Sequence, residues 1–182
     1  MKYLLIIPLM LLLACRQQQT DSMTEATGAP LGGGQSNVKD ETSEPDVVRV
    51  AVGSADHTTL VTALKTANYV DALSNAGPFT VFAPTNAAFE KLPAGTVEGL
   101  LKPESKDALQ NILEYHVYVG VINEEYISDG MTLNQVNLDN VTLNKSADGK
   151  ITVNGANVLG KVKASNGVVY VIDAVLLPPD KK

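Results

Sequence analysis

Between residues 77 and 89 the chain reads GPFTVFAPTNAAF, and no other stretch restricts the fold as tightly. A short apolar run is stopped by a proline and passes at once into a helix-capping sequence. Strand alternation places Phe79, Val81 and Ala83 on one side and Thr80 and Phe82 on the other, as a strand buried on both faces requires. Pro84 offers no N–H and so ends the ladder. Thr85 or Asn86 can accept a hydrogen bond from an orphan N–H of the next turn. Ala87, Ala88 and Phe89 then open a helix that carries an aromatic ring back onto the strand.

Residues 164–178, ASNGVVYVIDAVLLP, carry a second signal of the same kind: a Ser-Asn-Gly turn, a nearly continuous run of Val, Tyr and Ile, then proline. Between the two lie Leu92-Pro93-Ala94-Gly95-Thr96 and, where a helix gives way to a strand, Tyr115-His116-Val117. In this order the four segments strongly resemble the signature segments of the fasciclin domain family, over roughly residues 45–178. The resemblance implies an α+β fold, a fasciclin-like wedge with N-terminal helices packed on a twisted, mostly antiparallel β-sheet or sandwich.

Periodicity alone leads to a compatible picture. Leu60, Leu64, Ala67 and Leu73 recur at three- and four-residue intervals, which predicts one helix over 57–75, capped by Asp56 and stopped at Gly77-Pro78. Shorter helices are expected over 96–101 and over 105–115, the latter with Leu109, Ile112 and Leu113 on one face. Beyond residue 130 the period falls to two. Alternation over 133–143 and turns at Asp148-Gly149, Asn154-Gly155 and Asn166-Gly167 predict an antiparallel meander, with which the early strand at Phe79 must pair.

The N-terminus is of another character. An uncharged run over 3–13 follows Lys2, too short to span a bilayer and of the length of a signal-peptide core. It closes on Leu12-Leu13-Ala14-Cys15, which looks like a bacterial lipobox with the sole cysteine of the chain as its acceptor. The expected organisation is a signal peptide over 1–14, a lipidated Cys15 with a disordered tether over 15–44, and the fasciclin domain over 45–180. The tether is rich in Gln, Thr, Ser, Gly and acids, and a flexible chain of that length spans about 30 Å. With Cys15 acylated no thiol remains for a disulfide, so the exported domain must hold by packing.

Charge and side-chain supply then bound the function. The net charge of −6 becomes −7 once Lys2 leaves with the leader; the only arginines are Arg16 and Arg49, so nucleic acid is not an expected partner. The two histidines, His57 and His116, lie on different elements and lack a second metal ligand at helical spacing. No catalytic residue, metal or cofactor is expected, and an enzymatic role is not. His116→Ala would be the test of a hydrolase reading.

In animal matrix members of the fasciclin family the Tyr-His element is linked to receptor binding, which by resemblance makes Tyr115 and His116 the partner-binding candidates. The competing expectation for His116 is a partly buried, satisfied imidazole. Adhesive animal members also place an Asp-Ile pair before the second signature segment. Here the sequence is Gly160-Lys161-Val162-Lys163, which removes that acceptor and argues against an integrin-type contact.

Asp173 is read as a charge guarding a sheet edge, Gly155, Gly160 and Gly167 as hairpin-turn residues, and Tyr118, Tyr126 and Tyr170 as packing at sheet margins. The resulting expectation is a monomeric head held to the lipid bilayer through acylated Cys15. It would act by adhesion to a surface protein or polysaccharide, in the cell envelope and by preference on the outer membrane. Arg16 after the cysteine is not the aspartate of inner-membrane retention. The alternative is a carrier of a small apolar ligand in a cleft lined by Leu109, Leu113 and Tyr115.

Overall fold

The computed structural model describes residues 44–179. The expected signal peptide, Cys15 and all of the tether before Glu44 lie outside the described residues, as do residues 180–182.

Asp46 opens α1 (Val47–Val52), its carboxylate accepting from the Arg49 N–H at 2.8 Å. The single helix expected over 57–75 is instead a 3-10 turn at Ala55–His57, then α2 (Thr58–Thr66) and α3 (Val70–Ser74). The cap is Ser54, not Asp56: the Ser54 hydroxyl accepts from the Asp56 N–H. The break falls at Asn68, whose φ of 55° is a left-handed conformation that asparagine tolerates better than most residues. The apolar spacing runs on through the break, which is why periodicity alone does not reveal it.

β1 (Phe79–Pro84) and α4 (Asn86–Glu90) follow as the sequence predicts. Thr85 caps α4 by accepting from Ala88 N–H. Asn86 serves a different helix. Its Oδ1 accepts from Thr59 N–H at 3.0 Å and its Nδ2 donates to the Ala55 carbonyl at 2.9 Å, which ties the start of α2 to the end of the strand. α5 (Thr96–Leu100) and α6 (Lys106–Tyr115) complete the helical half.

The strand-rich half comprises β2 (Val117–Val119), β3 (Met131–Asn134), β4 (Asn140–Lys145), β5 (Ile151–Val153), β6 (Ala156–Ala164) and β7 (Gly167–Ile172). The alternation over 133–143 is two strands, not one. Between them Asp139 N–H bonds the Asn137 side chain, and Leu138 takes a φ of 70°. All seven strands form one sheet in the order β2-β1-β7-β6-β5-β4-β3. Every pairing is antiparallel except β1 with β7, in register from Phe79 opposite Gly167 to Pro84 opposite Ile172. The sheet curls until Val136, just past β3, donates its N–H to the Val117 carbonyl of β2 at 2.9 Å, so it is nearly a closed barrel.

β1 and β7 divide the apolar interior. On the helical side Val81, Ala83 and Val169 meet Val48, Leu60, Leu64, Leu109 and Leu113. Inside the curled sheet Phe82 and Tyr170 stack with ring centroids 6.0 Å apart, among Leu133, Val141, Leu143, Val153 and Ile172. The two-faced burial expected for residues 79–83 is therefore the central fact of the fold.

Where the two strands begin, the chains touch backbone to backbone. A Cβ on Gly77 would overlap the Asn166 carbonyl oxygen, and one on Gly167 would overlap the Phe79 carbonyl oxygen. Gly167 is thus a contact residue at the start of β7, and Gly160 lies within β6 beside a bulge, not in a turn. Gly167→Ala should cost on the order of 4 kcal/mol or prevent folding, because backbone and not a movable side chain must yield. Gly160→Ala, with open space at its Cβ position, should stay within about 1 kcal/mol of the parent. Urea unfolding of the two variants checks the contrast, and equal stabilities would refute the close-contact account.

Candidate functional site

α6 ends in Tyr115 and His116, whose rings face opposite sides of the central strands. Tyr115 is 2 % exposed and belongs to the core inside the sheet. Its hydroxyl donates to the Asn140 carbonyl at 2.9 Å and accepts from Asn154 Nδ2 at 2.8 Å, while burial raises its pKa. Asn154 Oδ1 also accepts from Thr142 N–H, so one asparagine in the β5–β6 turn orients the phenol and bonds β4.

His116 is 3 % exposed and sits among helical-side residues. Its Nδ1 lies 2.7 Å from the Ile112 carbonyl, and its Nε2 lies 3.0 Å from the Leu176 N–H. The carbonyl needs a donor and the N–H needs a lone pair, so the neutral Nδ1–H tautomer satisfies both. Desolvation lowers its pKa to about 4 against the weaker opposing pull of the Ile112 carbonyl. The structure thus places both partner-binding candidates in the interior with their polar atoms engaged. As drawn, they fasten α6 to the sheet and to the segment after β7.

The other polar candidates resolve similarly. His57 is buried, with Nδ1 2.8 Å from the Ser54 hydroxyl. Its Nε2 has no well-aligned partner, and burial lowers its pKa. Asp173 does not guard an edge, since β7 lies inside the sheet. Its carboxylate accepts from Asn157 N–H at 2.8 Å and Asn157 Nδ2 at 2.9 Å, and Lys91 Nζ lies 3.5 Å away. The Asn157 amide, with Lys91, holds that carboxyl below its usual range.

The three tyrosines do not share a margin: Tyr170 is fully buried and bonds the Ile122 carbonyl, Tyr118 is half-buried, and Tyr126 is 71 % exposed. Nor is there a cleft shared by Leu109, Leu113 and Tyr115. The first two line an apolar cavity of about 20 Å³ and Tyr115 lies in the other core, so the space suits no more than about one water.

The roomy concavity is elsewhere, where the two signature segments cross. It holds about 730 Å³ and is walled by Gly77, Pro78, Val121, Ser165 and Asn166, with Lys161 and Lys163 on one rim. Asn166 organises it. Oδ1 accepts from Val47 N–H at 2.9 Å, Nδ2 donates to the Leu73 and Asn75 carbonyls at 2.7 and 2.8 Å, and the backbone carbonyl accepts from Phe79 N–H at 3.0 Å. One residue thereby joins the β6–β7 turn to α1 and α3 through its side chain and to the start of β1 through its backbone. The rim charges pair locally: Lys161 with Glu124 at 3.5 Å, and Lys163 with Glu44 at 3.7 Å. Sequence reasoning saw Asn166 only as a turn residue and Lys161 and Lys163 only as replacements for a family motif.

The profile of the fasciclin domain family, described as "Fasciclin domain", matches residues 55–178. Protein sll1483 of Synechocystis sp. is 52% identical over 134 residues, 73% of each chain. Cell surface glycolipoprotein MPT83 of Mycobacterium tuberculosis is 46% identical over 114 residues, 62% of this chain and 49% of that protein. Among solved structures, the FAS1 domain pair from the insect cell adhesion molecule Fasciclin I superposes with a TM-score of 0.64 at 20% identity, covering 73% of this chain and 51% of that one.

Two measurements probe the polar framework. Folded His116 titrates near 4 and an unfolded histidine near 6.5. Above 6.5 both states are neutral and stability is complete; as pH falls from 6.5 towards 4 the unfolded chain gains a proton that the native chain refuses. Stability should therefore drop by on the order of 3 kcal/mol across that window, with His57 acting in the same direction. In urea titrations at pH 7.5 and 4.5, His116→Gln should show a clearly smaller pH difference than the parent, and an unchanged difference rules the assignment out. Asn166→Asp replaces an amide donor by a carboxylate facing two carbonyls, so at pH 7 it should cost at least about 2 kcal/mol and recover in part on acidification. A variant of parental stability at pH 7 would show that the amide bonds do not hold the crossing.

Proposed function

This chain belongs to the fasciclin domain family, and from that premise we propose that it is an acylated envelope protein whose fasciclin head works by binding at the cell surface. The solved FAS1 domain pair that shares this fold comes from a protein named as a cell adhesion molecule, which is in keeping with a binding role. Kinship with a bacterial protein named as a cell surface glycolipoprotein carries the reading, since 46% identity over 114 residues relates the head of this chain to one described at a cell surface. The sequence Leu12-Leu13-Ala14-Cys15 after an apolar run supports acylation as the means of retention. Each methylene buried in lipid is worth about 0.8 kcal/mol, and two or more chains hold stably where one does not.

In this reading the partner is a surface protein or polysaccharide, and the outer membrane is the favoured site. Adhesion would draw on many heads displayed on one membrane, because tethering raises effective concentration without new contacts. The carrier reading loses its support with the expected cleft filled by side chains.

Radiolabelled palmitate should enter the parent chain and not Cys15→Ser, and protease treatment of intact cells should release the folded head. Cells lacking the protein should adhere to surfaces and to one another measurably less than their parents. A Cys15→Ser chain that stays membrane-bound would overturn the anchor, and undiminished adhesion would overturn the function.

A further inference from the structure

Strand alternation in β3, β4 and β5 sends Leu133, Val141, Leu143, Ile151 and Val153 into the core inside the curled sheet and turns the intervening side chains outward. These are Thr132 and Asn134 on β3, Asn140, Thr142 and Asn144 on β4, and Thr152 on β5. None is charged. Lys145, the one charged residue of the three strands, pairs with inward Ile151 and bonds the Glu124 carbonyl. Thr132 stands opposite Thr142, Asn134 opposite Asn140 and Asn144 opposite Thr152. The result is a grid of hydroxyl and amide groups spaced about 4.8 Å across the strands and about 7 Å along them.

Stability does not call for this composition. Asparagine is disfavoured in strands, and exposed faces ordinarily mix charges of both signs. Asn134 has an internal duty, its Nδ2 donating to the Leu138 carbonyl at 2.9 Å and to Asn140 Oδ1 at 3.0 Å. The side chains of Thr132, Asn144 and Thr152 bond none of the described residues. At the β3–β4 end of the grid stands Leu138, 77 % exposed and held at a φ of 70°. A bulky residue in the left-handed region is strained, and an exposed leucine gains nothing from burial. Its turn is nevertheless fixed, with Leu138 N–H on the Gln135 carbonyl and Gln135 N–H on the Asp139 carbonyl at 2.9 and 2.8 Å.

We propose, taking the adhesion reading as the premise, that this face binds a neutral polysaccharide, its Asn and Thr side chains meeting the sugar hydroxyls and Leu138 an apolar C–H surface. A sugar hydroxyl both donates and accepts, and so do a threonine hydroxyl and an asparagine amide. Repetition of such groups suits a polymer whose hydroxyls recur along its length. An uncharged face offers no ion pair to a polyanion or a polycation, and the net charge of −6 repels the former. Each bond is weak against water, so retention needs many sugar units and many heads.

Retention of the detergent-solubilised full chain on cellulose, chitin, cross-linked dextran and acidic alginate tests the proposal. The parent should be held by at least one of the three neutral matrices and not by alginate. Leu138→Gly relieves the strained φ, so it should unfold in urea no earlier than the parent while its retention falls at least about fivefold. Asn144→Glu with Thr152→Lys charges a cross-strand pair that can still attract, and should lose retention with the head folded. Thr62→Lys, on α2, should bind as the parent does. Retention by no neutral matrix, equal retention by alginate, or retention indifferent to both face variants would overturn the proposal. Cells displaying Leu138→Gly that adhere as well as their parents would overturn this face and leave the adhesion reading standing, since that reading falls only if cells lacking the protein adhere undiminished.

Discussion

The parallel contact between β1 and β7 is the constraint on which the remaining architecture depends. It joins residues nearly ninety positions apart in the sequence, and it forms only because two glycines let the strand starts approach without a side chain between them. Once made, it puts apolar residues on both faces of both strands. Helices must then cover one face and the rest of the sheet must curl over the other. Asn166 secures the same place with side-chain bonds to α1 and α3, so entry to the sheet and the start of the helical layer are fixed by one residue. Since these bonds are partly shielded from water, losing the amide would leave backbone groups short of partners, a larger cost than the net gain from making the bonds.

Much of this was legible in the sequence because its cause is local. Two-faced burial follows from the composition of residues 79–83, the stop at Pro84 from a missing donor, and the hairpins from Asn-Gly and Asp-Gly pairs. The misreadings have a common origin in side chains that bond at a distance or against the hydrophobic pattern. Asn68 breaks a helix whose apolar spacing does not register the break. Asn137 closes a turn inside an apparently continuous alternation. Asp173 bonds Asn157 across the β6–β7 pair, and Asn166 bonds residues about ninety positions upstream, neither of which any local pattern encodes.

The same logic applies to the candidate site. Tyr115 and His116 stand out in the sequence because a polar pair at a helix–strand junction is conspicuous, and in the structure each polar atom of the pair is spent on a backbone or amide partner. A neutral imidazole serves where a lysine would not, since its one donor and one acceptor meet the Ile112 carbonyl and the Leu176 N–H, and a lysine has no acceptor. The residue therefore ties the segment after β7 to α6 at the cost of sensitivity to acid.

With those side chains committed inward, the outward surface is left to other groups, and it is uneven in kind. β6 presents exposed Leu159 and Val162 beside Lys161 and Lys163, and among the described residues it pairs along 158–164 with β7 alone. A bulge and two lysines are the usual means of discouraging indiscriminate strand addition. Both lysines pair with acids of the head itself, Lys161 with Glu124 and Lys163 with Glu44, so the charge on this strand is balanced where the chain enters α1.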